Sequence, residues 1–400
     1  MTQTSGKISL TTAIIICMNA MIGAGIFTTP AKLATSVGPA GILSYAFVIV
    51  AVVTMALSIA RVAQIYPQEG SFYTYAKQWG GHFMGVLAAG AYVIGVIIAL
   101  GLITQIATDY LHAFMPGIPQ TTLGIILITA LVALNMTGVK FMQAGQVFLI
   151  GCTLFSILVT SILCLLNANI GYLTPFMPHG IGSVFSATKT AIFAFFGFES
   201  AASLFTIVKD PRRNVPRALT LSIIIVGIIY MTFISSLILG IDPALFTSAR
   251  IPLSTVLTQA FPHYWWLGKL IGISIITALL GVLQSMLYSV SMLTQSFFKL
   301  LRNPMARALT TSRYSFEIIL ASIGVFTLIN FIAVKNLDLF FILTALFIIF
   351  AFIASMLTLP LKHHNKTTGQ KLITYLGLIT GSIILISAVY DLFFELSKSL

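Results

Sequence analysis

The stretch Phe193-Ala194-Phe195-Phe196-Gly197-Phe198-Glu199-Ser200 sets one carboxylate, Glu199, at the midpoint of a nineteen-residue run, Thr190 to Val208, that is otherwise uncharged and is bounded by Lys189 and Lys209. An acid at bilayer depth costs roughly 2.5–3.5 kcal/mol to insert, and ionisable residues there mostly serve function. The first apolar run, Ile8 to Ala31, carries its own weak point at Gly23-Ala24-Gly25. Two interrupted runs, five spans apart, are the pattern of a carrier whose site lies between two broken helices. Each half has a plainer reading. Gly23-Ala24-Gly25 suits close helix packing, and Glu199 suits a protonated structural acid bonded to a neighbouring helix.

Composition fixes the solvent. With 58% apolar and 8% charged residues and a mean hydropathy of +1.03, the chain reads as an integral, multi-pass membrane protein. Its apolar segments are about 20 residues long, which suits helices; a spanning strand needs about 10 in alternation, so a β-barrel is excluded. Apolar windows predict eleven spans, at 9–35, 41–65, 83–112, 122–138, 146–168, 186–207, 219–240, 267–299, 316–334, 339–360 and 372–393. The N-terminal run reads as a retained first helix and not a signal peptide. Connectors 68–80 and 300–314 mix aromatic or apolar residues with Lys and Arg, as short helices on the membrane surface do. Cys17, Cys152 and Cys164 all lie in apolar runs, so they read as small hydrophobes and not as a disulfide framework.

Basic residues are retained on the cytoplasmic side. With the N-terminus inside, fifteen of the twenty-one lie on inner segments, among them Lys209, Arg212, Arg213 and Arg217, and six lie outside, including Lys189, Arg250 and Lys335. An odd span count then places the C-terminus outside. The net charge of +12 reads as anchoring to anionic inner-leaflet lipid. A nucleic-acid partner is disfavoured, because the charge is spread over several loops with no binding module.

A helix broken in hydrocarbon frees amide donors at the start of its second half and carbonyls at the end of its first, and lipid satisfies neither. Donors near Ile26 and Phe27 suit a carboxylate. Carbonyls of Met21 and Ile22, and of Phe193, Ala194 and Phe195, suit an ammonium. Together they recognise the shared part of an α-amino acid, with Gly23, Gly25 and Gly197 allowing close approach. No His-Glu-x-x-His spacing supports a metal. No acid other than Glu199 lies deep enough to make a catalytic pair, and no repeated filter suggests a channel.

Met21-Ile22-Gly23-Ala24-Gly25-Ile26-Phe27, Tyr66-Pro67-Gln68-Glu69-Gly70-Ser71-Phe72-Tyr73, Phe193 through Ser200, and Lys209-Asp210-Pro211-Arg212-Arg213-Asn214-Val215-Pro216-Arg217-Ala218 resemble the amino acid–polyamine–organocation (APC) transporters. The sixth span and its loop are most similar to bacterial basic amino acid exchangers. The resemblance implies an all-α, LeuT-like fold over 1–400: two inverted five-helix repeats at about 9–168 and 186–360, an additional helix at 372–393, and helices 1 and 6 unwound at mid-membrane. It implies a substrate held by Met21, Ile22, Gly23, Ala24, Gly25, Ile26, Phe193, Ala194, Phe195 and Gly197. Phe193 falls where such exchangers place a gating aromatic, and Glu199 where they place a proton-responsive acid. Tyr92, Gln284, Ser285 and Tyr288 become possible cavity-lining residues, with interhelical hydrogen bonding as the competing role. A bacterial inner membrane and alternating access follow from the same likeness.

The likeness leaves substrate and coupling open. Cationic amino acids or their decarboxylation products would pair with Glu199; large neutral amino acids suit a wall of Phe193, Phe195, Phe196 and Phe198. A transport-like sensor would share the pocket. No cofactor is expected, and a proton is the expected coupling ion. Gly145 to Leu166 holds no charged residue, so the fifth-span lysine of some relatives has no counterpart. Sodium stays open through the hydroxyls of Ser285, Ser289, Ser291 and Thr294, which equally suit back-bonding to their own helix.

Overall fold

The computed structural model describes residues 7–68, 70–137, 139–246, 252–301, 304–333, 336–364 and 366–399. Of the basic residues used for orientation, Arg250, Arg302 and Lys335 lie outside that set. The first span is two helices, α1 (Leu10–Met21) and α2 (Ala24–Ser36), and α3 (Gly41–Ile65) follows. Helix α4 (Ser71–Phe114) turns sharply at Gly81, where φ is 68°, before entering the bilayer. Then come α5 (Gln120–Met136), α6 (Val139–Leu166), α7 (Gly180–Ile192), α8 (Ser200–Ser203), α9 (Pro211–Gly240), α10 (Leu253–Ala260), α11 (Trp266–Leu300), α12 (Pro304–Thr311), α13 (Ser315–Ala333), α14 (Leu337–Met356), α15 (Thr358–Leu361) and α16 (Thr368–Ser399).

Among the described residues eight helices are long and apolar enough to cross a bilayer, and the pair α1 and α2, bent by 50°, makes a broken ninth span. The shorter apolar α5 and the interrupted pair α7 and α8 fall on two further predicted spans. Large apolar side chains such as Phe148, Phe155, Ile228 and Phe393 are more than half exposed, which water would penalise and lipid tails accept. The core runs down the centre of the bundle: α11 buries residues along its whole length, α14 lies along α4, and α3 lies along α9.

Connector 68–80 and the start of the seventh predicted span depart from expectation. Residues 71–80 do form a helix, but it does not lie on the lipid: Ser71 to Ala76 are all buried. Ser71 Oγ donates to the Ala202 carbonyl at 2.5 Å, and Thr358 Oγ1 donates to the Tyr75 carbonyl at 2.7 Å. Its aromatic residues alternate with small ones, so it packs inward and braces α8. The ninth helix begins at Pro211, eight residues before the apolar window opens at 219, because Pro at the first helical position is preset for the turn and the charged first turns belong to the same helix.

Candidate functional site

Helix α1 stops at Met21 because Ile22 and Gly23 leave helical backbone angles (φ −77°, ψ 82° and φ −121°, ψ −149°). The chain resumes at Ala24, so the first amides of α2 have no partner within their own helix. In the other broken span, α7 ends at Ile192, Phe193–Phe195 form a single 3-10 turn, and α8 has only four residues. Gly197, at φ 109°, reverses the chain in the left-handed region that favours glycine. The two breaks touch. A Cβ on Gly197 would lie 2.5 Å from the Ala20 carbonyl oxygen, and one on Gly25 would lie 2.9 Å from Ala194 Cα.

Met21, Ile22, Ile26, Ala194, Phe195 and Gly197 thus come together, and all are buried. Gly23 faces Val282 of α11. The side chains of Phe193, the expected gate, and of Ala24 lie outside the described residues. Glu199 is fully buried. Its Oε1 accepts from the Tyr92 hydroxyl at 2.9 Å, and its Oε2 accepts from the Gly197 amide at 3.0 Å. The acid therefore satisfies one of the donors that the break frees, and ties it to α4.

Tyr230 of α9 is a member of the site that sequence reading missed. Its hydroxyl lies 2.8 Å from the Met21 carbonyl and 2.9 Å from the Ala194 carbonyl, one from each broken span. A single O–H so placed is shared between both acceptors. Tyr45 stands beside it edge-to-face, 6.2 Å between ring centres, and bonds Thr29 of α2 at 2.5 Å; Phe195 closes the other side at 4.9 Å. The available signal was weak: one hydroxyl on the α9 stripe of Ile223, Val226, Tyr230, Phe233 and Leu237, all buried. Tyr230→Phe removes the donor shared by both carbonyls: Met21 keeps the Gly23 amide at 2.9 Å, whereas the buried Ala194 carbonyl loses its side-chain partner, at about 1–3 kcal/mol for a group left unsatisfied. Its expected result is a lower unfolding temperature in detergent with a loss of tenfold or more in uptake; unchanged uptake by folded protein would remove Tyr230 from the site.

The remaining candidates divide. Tyr92 is engaged with Glu199. Tyr288 packs edge-to-face on Phe316 at 5.4 Å. Gln284 is fully buried with neither end of its amide partnered among the described residues, lying against Gly145, whose added Cβ would meet it at 3.1 Å. Ser285, Ser289, Ser291 and Thr294 each donate to a carbonyl three or four residues back, at 2.7–3.1 Å. That is the ordinary back-bonded state, so these hydroxyls supply no evidence for a cation.

Where the chain enters the first span and leaves the sixth, the two broken spans are stitched together. The Ile8 amide donates to the Ile207 carbonyl at 2.8 Å and the Lys209 amide to the Ile8 carbonyl at 2.9 Å, forming a short parallel bridge between Ile8 and Val208. Two spans interrupted opposite each other, with backbone donors and acceptors turned to a shared interior, define a membrane carrier architecture.

The chain matches the amino acid permease family over residues 8–398, and it belongs to that family. It is 25% identical over 292 residues to the branched-chain amino acid permease BcaP of Bacillus subtilis, covering 68% of this chain and 62% of that protein. It is 27% identical to the serine/threonine exchanger SteT of Bacillus subtilis, covering 78% and 72%, and 28% identical to the gamma-aminobutyric acid permease of Escherichia coli, covering 53% and 48%. The match thus spans less than two thirds of the length of BcaP. Among solved structures it resembles MhsT in complex with L-phenylalanine, with a TM-score of 0.66 at 17% identity, over 95% of this chain and 98% of that one. The expected LeuT-like fold is the one observed.

Proposed function

We propose that this chain is a secondary transporter of α-amino acids, binding the α-ammonium and α-carboxylate between its two broken spans. The observation that carries this is the facing pair of breaks, with the Met21 and Ala194 carbonyls meeting at one hydroxyl and the open N-terminus of α2 beside them. A substrate ammonium would take the place of the Tyr230 hydroxyl, and a carboxylate would take the α2 amides. The relatives named as permeases and exchangers of branched-chain, hydroxylated and other amino acids agree with that shared recognition.

A neutral side chain is favoured over a cationic one. Glu199 already accepts from Tyr92 and Gly197, and Phe195, Phe196 and Phe198 offer an apolar wall. Glu199 serves coupling as the proton-responsive acid of the sixth span. The two repeats, at about 9–168 and 186–360, rock about the site, with the N-terminus in the cytoplasm of a bacterial inner membrane. The reading is tested by accumulation of labelled leucine and labelled arginine in sealed proteoliposomes. Uphill accumulation of leucine, competed weakly by arginine, is expected. Binding without accumulation would favour a sensor, and preference for arginine would restore the cationic reading.

Within this scheme the Ile8–Val208 bridge is the closed inner gate. Proline at position 8 has no amide to donate, so Ile8→Pro should open the inner side. The expected result is faster labelling of a cysteine placed at Ser203 by a reagent added from the cytoplasmic face. Equal labelling in Ile8→Pro and the parent would show that the bridge gates nothing.

A further inference from the structure

Beside that bridge lies a pocket of about 680 Å³ lined by Leu10 of α1, Gln64 of α3, and Arg212, Arg213, Pro216, Arg217, Thr220 and Leu221 of α9. Its size is within the range of small-molecule sites, about 300–1,000 Å³. Its lining is mixed in chemistry: three guanidinium groups and a carboxamide together with Leu10, Pro216 and Leu221. Along α9 the arginines come first and Leu221 follows Arg217 by about one turn, toward the bilayer. Among the described residues none of the three arginines makes an ion pair. Arg213 and Arg217 are one helical turn apart on the same face of α9 and are exposed, so both forks can converge on one group. Asp210, the nearest acid in sequence, caps the turn through its carbonyl, which accepts from the Arg213 and Asn214 amides at 3.0 and 2.9 Å.

The geometry points to an anionic phospholipid site here: the arginines take the phosphodiester headgroup, and Leu10, Pro216 and Leu221 take the start of its acyl chains. Guanidinium forks match phosphate oxygens in pairs, and an apolar rim beside them suits an amphiphile and not a soluble ion. Position strengthens the choice. The arginines belong to the first turns of α9, whose later turns cross the bilayer, which puts the pocket at the level of the leaflet surface. Leu10 is the first residue of α1, two residues from the Ile8–Val208 bridge. A lipid in the pocket therefore touches both α1 and α9, beside that bridge.

The test reads lipid directly and does not depend on transport. Protein purified from detergent is exchanged into phosphatidylethanolamine with or without phosphatidylglycerol, and retained lipid is measured by native mass spectrometry beside the unfolding temperature. Phosphatidylglycerol is expected to stay bound and to raise the unfolding temperature. Arg213→Gln with Arg217→Gln should weaken retention by about fivefold for each arginine removed, whereas Lys362→Gln with Lys371→Gln, on the same side but outside the pocket, should leave it unchanged. Arg213→Lys with Arg217→Lys, which keeps charge and loses the fork, should fall between. Equal loss in the Lys362 and Lys371 variant would mean general surface attraction and overturn the site. Stabilisation by inorganic phosphate alone, matching that of the lipid, would overturn the lipid as its occupant.

Discussion

Valine at position 197 is expected to abolish uptake, to below about one hundredth of the parent rate. Gly197 sits at φ 109°, where an L-residue costs roughly 1–2 kcal/mol from backbone sterics alone. The larger effect is contact. The new Cβ would lie 2.5 Å from the Ala20 carbonyl oxygen and 2.6 Å from its carbonyl carbon, both backbone atoms that no rotamer change can move. The two broken spans must separate, and the Met21 and Ala194 carbonyls then no longer meet at Tyr230. Gly197→Ala should lose most of the activity for the same reason. Gly90→Ala is the matched control: it is mid-helix in α4, nothing lies within 4 Å of its added Cβ, and replacing a helical glycine stabilises by up to about 1 kcal/mol. Initial uptake rates normalised to folded protein decide between them. Equal rates for Gly197→Val and Gly90→Ala would show that the spans do not need to touch.

Alanine at position 199 is expected to cost nearly as much, by a different route. Glu199 satisfies the Gly197 amide and the Tyr92 hydroxyl, both buried. Removing it leaves two donors unpaired in an apolar interior, at about 1–3 kcal/mol each. Glu199→Ala should therefore lower both the unfolding temperature and uptake, the latter by tenfold or more. Tyr92→Phe removes one donor together with its bond and should cost less than Glu199→Ala. Glu199→Gln separates coupling from structure, because it retains one acceptor oxygen and cannot release a proton. Its expected signature is residual uptake with a flattened pH profile. A pH profile in Glu199→Gln identical to that of the parent would assign Glu199 to structure alone.

Much of the fold was legible because lipid demands long apolar helices and glycine marks where they fail. The run around Gly23-Ala24-Gly25 and the run around Gly197 and Glu199 both break where their composition says they should. What could not be read was the partner chosen by each freed group. The amide of Gly197 turns to Glu199 two residues on, and two carbonyls in different spans turn to Tyr230, which is 209 and 36 residues away from them. Local composition carries no trace of such pairings. The burial of Ser71 to Ala76 was missed for a related reason: Lys77 and the flanking polar residues give the connector the character of a surface helix, while the space it fills is set by α8 and α14. The hydroxyls of α11 show the opposite case, in which the back-bonding rule for Ser and Thr was sufficient.

The most direct test is competition for labelled leucine uptake in proteoliposomes by two leucine analogues, the α-hydroxy acid and the methyl ester. The hydroxy acid lacks the ammonium meant for the Met21 and Ala194 carbonyls, and the ester lacks the carboxylate meant for α2. Hydrogen bonds to charged groups contribute about 1.5–3 kcal/mol, so each analogue should compete at least about tenfold less well than leucine itself. Competition by both analogues at the strength of leucine would contradict recognition at the paired breaks.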